Sequence, residues 1–248
     1  MSKSKSSPVT VAYEIHRILK NGGSSEHAKG VQWFFKEEVK SRGWYTAALR
    51  REAVKQRKII LQEYGLPFLL EVAERLFTSE VLEEKTFAVL LLEKQCDKFG
   101  DTELKRLESW LPRISSWADH DALVYYLIGP MVMMKPSRTK SVFRWAKSKN
   151  RWHRRAACVA LIPGTRRKMF FLEIVRLSDF LLNDRDDMVQ KGLGWLLRET
   201  AKADAKRTIP YLMRIRDKAP RLVLRTACET LPKGPKLKIL KSSSVIAY

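Results

Sequence analysis

Apolar residues recur three and four apart almost from end to end of this chain, as in Val11, Ile15, Ile18 and Leu19, then Leu69, Val72 and Leu76, then Phe87, Leu90 and Leu91. That spacing stacks them on one side of an α-helix, and no stretch sustains the two-residue alternation of a half-buried strand. Breaks fall at Asn21-Gly22-Gly23, Ser41-Arg42-Gly43, Gly65-Leu66-Pro67, Phe99-Gly100-Asp101, Met134-Lys135-Pro136, Ile162-Pro163-Gly164, Asn183-Asp184 and Lys218-Ala219-Pro220. The punctuation predicts many helices of similar, modest length joined by short connections. Such helices neighbour one another antiparallel, and a run of the resulting pairs predicts an all-α solenoid of the HEAT-like kind, curved and concave on one face. Basic residues and apolar stripes continue without a linker, so a single repeat domain is expected over residues 9–240, with a disordered tail over 1–8 and a C-terminal tail over 241–248.

Charge narrows what such a solenoid is for. Lys and Arg number 48 against 27 Asp and Glu, a formal net charge of +21. An imbalance of that size opposes compaction, and a polyanion is the natural partner. Nucleic acid is favoured over an anionic membrane or an acidic protein, since positive charge along a concave surface matches the phosphates of a duplex. Cys96, Cys158 and Cys228 are odd in number and never paired as C-x-x-C, which argues against a disulfide framework and against zinc. The first seven residues lack the apolar core of a signal peptide. The most apolar stretch, Ala122 to Met134, is too short for a bilayer and carries Gly129-Pro130, so it reads as a buried helix. A cytoplasmic, nucleoid-associated monomer without metal or cofactor is expected.

Four segments are candidates for chemistry. In Ser115-Ser116-Trp117-Ala118-Asp119-His120-Asp121, the helical repeat puts Trp117 and Asp121 on one side and Asp119 elsewhere. Asp119, three residues after Ser116, suits the free amides of a helix start. Asp121 instead shares its row with Val124 and Ile128, where an unpaired carboxylate is costly. Either a permanent cation satisfies it or it faces a cleft that a transient cation enters. His120 lies between two acids, but successive helical residues diverge and no second His or Cys stands at ligand spacing.

In the second segment Asn150 suits an N-cap, Arg151 and Arg155 share a face fit for phosphate, and Ala156, Ala157 and Ala160 admit a close helix neighbour. The arginines also fit a merely solvated surface. The third segment runs from Asp187 to Glu199, with an apolar stripe of Val189, Leu193, Leu196 and Leu197. Trp195 lies off that stripe, towards Lys191 and Arg198, either as a cation–π platform or covered by a neighbouring repeat. The fourth is a turn from Gly43 into a helix with Thr46 as its cap, followed by Arg50, Arg51, Lys55, Arg57 and Lys58.

Taken together, Trp117-x-x-x-Asp121, Arg155-Ala156-Ala157, the string from Gln190 through Gly194-Trp195 to Arg198-Glu199, and Thr46-x-x-Leu49-Arg50 resemble the AlkD-like alkylpurine DNA glycosylases. The resemblance spans nearly the whole chain in order and spacing, and the string from Gln190 is its most specific part. It implies a HEAT-like solenoid that excises cationic alkylated purines from duplex DNA; a DNA-binding solenoid without catalysis and a protein-interaction scaffold are the alternative readings. By the same resemblance, Asp121 matches the catalytic carboxylate, Trp117 and Trp195 its aromatic neighbours, and Arg155 a phosphate contact. Thr46, Arg50, Arg151, Lys191 and Arg198 are further DNA-binding candidates. Ala118 departs from relatives that carry an acid directly after the tryptophan; here the acid stands at Asp119, whose share in the role of Asp121 is left open.

Overall fold

The computed structural model describes residues 6–241. Among these the chain is helical, and the one β-type pairing is an isolated parallel bridge between Lys40 and Val81. It divides into two compact units, residues 1–127 and 128–248.

The first unit holds α1 (Pro8–Asn21), α2 (Ser25–Gln32), α3 (Thr46–Glu63), α4 (Leu66–Phe77), α5 (Leu82–Leu92), α6 (Asp101–Glu108) and α7 (Trp117–Leu123). The first helix opens at Pro8, inside the tail expected from sequence, because Ser7 caps it by accepting from the Thr10 amide and a proline costs nothing at a first turn. The remaining tail residues, 1–5 and 242–248, lie outside the described residues. Helix α5 is the centre of the unit, packed on α3, α4 and α7. Its residues Phe87 to Leu92 are all buried, so the buried set extends beyond the Phe87, Leu90 and Leu91 of the helical spacing. A helix enclosed on every side has no outer face to keep polar, and each such apolar side chain contributes about 1.5–3 kcal/mol of burial.

The first turn of α5 carries Glu83, Glu84 and Lys85, all under 5% exposed. Glu83 accepts four hydrogen bonds from the loop before α3, from the Ser41 hydroxyl and the amides of Arg42, Gly43 and Trp44. Glu84 takes the Arg42 guanidinium at 2.5 Å and lies 3.0 Å from His16 Nδ1. Lys85 donates to the Arg113 carbonyl, the Ser115 hydroxyl and Asp119. Buried charges persist only when paired and hydrogen-bonded, and these three are. In doing so they fix two loops, one leading into α3 and one into α7. Gly43 is required in the first of these: its φ is +74° and a Cβ there would stand 1.9 Å from the Ser24 carbonyl oxygen.

The second unit comprises α8 (Gly129–Met134), α9 (Thr139–Ala146), α10 (Arg151–Val159), α11 (Ile162–Thr165), α12 (Phe171–Leu181), α13 (Asp187–Ala203), α14 (Ala205–Ile215), α15 (Arg221–Ala227) and α16 (Lys233–Leu240). Helix α13 is its hub, packed on α10, α11, α12, α14 and α15. Ile162-Pro163-Gly164, expected as a break, ends α10 but itself forms the one-turn α11, since a proline is tolerated at a first turn. Helices contact chiefly those one to three places along the chain, the contact pattern of a helical repeat.

Candidate active site

Helix α7 begins with a carboxylate that is entirely consumed. Asp119, fully buried, accepts from the amides of Ser115 and Ser116 at 3.0 and 2.7 Å, from both their hydroxyls at 3.1 and 2.5 Å, and from Lys85 Nζ at 3.1 Å. Its task is to close the helix start, as the Ser116-x-x-Asp119 spacing implies.

Asp121 contrasts with it. Its side chain is 19% exposed, and Oδ1 lies 2.7 Å from Nδ1 of His120, which is fully buried. Trp117, one turn earlier, is half-buried, and its indole stacks on Phe35 with ring centroids 5.1 Å apart. As the helical spacing requires, Trp117 and Asp121 reach the surface while Asp119 turns inward. Phe35 had no local signal in the sequence, because its partner lies 82 residues away. It leaves a short loop after α2 that Gln32 braces, its amide donating to the Glu37 carbonyl at 2.9 Å and accepting from the Val39 amide at 2.9 Å. The same loop exposes Trp33 and Phe34, 84% and 65% accessible and edge to face.

Immediately after α7 the chain makes a π-helical turn over Val124–Ile128, which periodicity did not foresee. Proline at 130 has no N–H for the carbonyl four residues back, and the Tyr126 carbonyl is instead met by the Cys96 thiol at 3.5 Å. Widened turns of this kind are frequent at functional sites. Val124 and Ile128 are fully buried, as expected.

The remaining candidates of the first unit stand on α3. Thr46 is the first residue of the helix and exposed, but the cap position is held by Tyr45, without a side-chain cap. Thr46 is thus not the cap expected from sequence, since the loop pinned by Glu83 sets where the helix starts. Arg50 pairs with Glu93 at 2.9 Å and lies over the Tyr126 ring.

In the second unit Asn150 caps α10 through the Trp152 amide at 2.8 Å, as expected. Arg151 is part-exposed, stacked on Trp152 and 3.7 Å from Asp186. Arg155 is no solvated residue: it is 5% exposed and donates to the Met188 carbonyl at 2.6 Å. Two glycines of α13 explain much of the string around Trp195. A Cβ on Gly192 would meet the Arg155 side chain at 3.1 Å, and one on Gly194 would meet Thr226 of α15 at 2.6 Å. One glycine seats the arginine and the other lets α15 approach. Trp195 is half-buried while the stripe of Val189, Leu193, Leu196 and Leu197 is buried, as the spacing required. Lys191 pairs with Asp187 at 3.3 Å, and Arg198 with Glu199 and Glu229.

The profile of one protein family, the DNA alkylation repair enzymes, matches residues 15–231 of this chain. The chain belongs to the DNA alkylation repair enzyme family. Among solved structures, a predicted DNA alkylation repair enzyme from Enterococcus faecalis superposes with a TM-score of 0.76 at 17% identity, covering 85% of this chain and 97% of that one. The crystal structure of smu.31 from Streptococcus mutans UA159 gives a TM-score of 0.56 at 20% identity, covering 75% and 97%. At such identities both speak for the fold alone. No curated protein matches the sequence significantly. As a member of the alkylation repair family, the protein has a role in repair of alkylation damage, in keeping with the charge of +21 and the resemblance of its motifs. No described helix is long and apolar enough to cross a membrane.

Proposed function

We propose that this alkylation repair protein is a monofunctional DNA glycosylase that hydrolyses the N-glycosidic bond of cationic N3- and N7-alkylated purines in duplex DNA. The observation that carries the reading is the division of labour on α7: Asp119 is buried and fully satisfied, while Asp121 reaches the surface one turn from the indole of Trp117.

Alkylation at N3 or N7 leaves the purine positively charged, so the base departs neutral once the C1′–N bond breaks and its electron pair passes to the ring nitrogen. No acid is needed on the leaving group. Of the two carboxylates that glycoside hydrolysis ordinarily employs, only the one facing the sugar is required. Asp121 takes that part. It opposes the positive charge growing on the deoxyribose, orients the water that adds to C1′, and accepts the proton that water loses. Trp117 and Trp195 attract the cationic lesion through their ring faces, each worth about 0.5–2 kcal/mol, a preference that an undamaged neutral base does not share. Arg155 meets a phosphate with the small exposed part of its side chain, 5% of the residue, fixing register without reading sequence, and the more exposed Thr46, Arg50, Arg151, Lys191 and Arg198 supply further backbone contacts. The scheme calls for no metal or cofactor, and a monomer of the cytoplasm and nucleoid suffices for it.

Incubation with methylated duplex DNA, followed by chromatography of released bases, tests the reading. The wild type is expected to liberate 7-methylguanine and 3-methyladenine, and Asp121→Asn to do so at least about 100-fold more slowly with DNA binding retained. Equal release by the two proteins contradicts it.

A further inference from the structure

His120 and Asp121 are successive residues, and on a regular helix successive side chains diverge by about 100°. Their heads nevertheless meet, with Nδ1 and Oδ1 2.7 Å apart. The imidazole is fully buried and the carboxylate is 19% exposed, so the pair joins a side chain held by packing to one that reaches solvent. An ionised carboxylate can only accept, which puts the proton of this contact on Nδ1.

We infer that His120 is a positioning residue for Asp121, holding one carboxylate oxygen so that the carboxylate plane is fixed before substrate arrives. The inference rests on the glycosylase reading and deepens it. A carboxylate that steadies a developing sugar cation is effective when it is already aimed and needs no reorganisation at the moment of reaction. A partly exposed aspartate has two soft torsions, and the buried ring restrains them from a neighbouring position without occupying the exposed side. The pair lies inside the regular part of α7, three residues before the π-helical turn over Val124–Ile128 begins.

Two substitutions separate positioning from packing. Asparagine at 120 keeps an N–H donor close to where Nδ1 lies, whereas leucine fills similar volume without one. Single-turnover release from an oligonucleotide with one 7-methylguanine is expected to fall about 10- to 100-fold in His120→Leu, the cost of a misaimed group, and to stay within about threefold of wild type in His120→Asn. Duplex affinity should be unchanged in both. In a nitrogen-correlated proton spectrum, the His120 ring resonances should move on Asp121→Asn substitution.

Release by His120→Leu at the wild-type rate overturns the inference and leaves the glycosylase reading standing. So does a parallel fall of both variants, or a ring spectrum indifferent to Asp121→Asn. Absence of release by the wild type itself overturns both.

Discussion

Asp119 and Asp121 are the same side chain two residues apart in different surroundings, one fully buried under five hydrogen bonds and the other partly exposed beside an imidazole. Removing the cation that serves Asp119 leaves a buried charge uncompensated. Lys85→Met should therefore destabilise the protein by about 3–5 kcal/mol, read as a lower urea midpoint. Asp121→Asn should leave that midpoint nearly unchanged. The thiols give a second residue-scale expectation. Burial pushes Cys96 and Cys158 up to about 12 from an ordinary value of 9.0. The folded state thus keeps protons that the unfolded chain releases, so the stability involved is intact below pH 9 and is lost as pH rises from there towards 12. Unfolding free energies from urea titrations should fall as pH rises above 9, by up to roughly 1.4 kcal/mol per pH unit for each thiol, and Cys158→Ala should flatten the decline. The division between the two aspartates was legible from spacing. His120 as a neighbour of Asp121 was not, since regular helix geometry argues against adjacent side chains meeting.

Helices were legible because apolar spacing and breakers are local signals, and nearly every expected break separates two helices. What holds the elements in place was less so. Glu83, Glu84 and Lys85 carry no local signal of what they do, because the loops they pin come from residues 41–44 and 113–119, about 30 to 40 positions away. A longer separation, 82 residues, hid Phe35 from Trp117. The glycines of α13 lie between these cases: their presence in a helix interior is conspicuous in sequence, but the reason is packing on two different neighbours. Gly194→Ala should cost about 1–3 kcal/mol, since its Cβ would stand 2.6 Å from Thr226. Gly234→Ala on α16, where a Cβ meets nothing within 4 Å, should be neutral or stabilising by up to about 1 kcal/mol. Thermal unfolding of the two variants distinguishes a packing glycine from an incidental one.

For the whole molecule, the charge of +21 was the most accessible property and the least specific, since it names a polyanion without naming the chemistry done on it. Many of its cations are already engaged: Arg50 with Glu93, Arg154 with Asp184, Lys191 with Asp187 and Arg198 with Glu229. Arg185 and the basic turn Arg166-Arg167-Lys168 add exposed charge, and duplex binding should tolerate any sequence and weaken steeply with salt. Between 50 and 200 mM salt the affinity should fall more than about tenfold, and titrations at several concentrations measure the slope. Family membership supplies what charge lacked, the link to alkylation damage. The central claim is that Asp121 drives departure of a cationic purine. Its most direct test is the single-turnover rate of 7-methylguanine release from a duplex carrying one such base, compared with release from the same duplex without protein. The account predicts a protein-dependent rate that Asp121→Asn lowers at least about 100-fold while both proteins retain the duplex equally. A wild-type rate no faster than spontaneous loss, or one unaffected by the substitution, contradicts it.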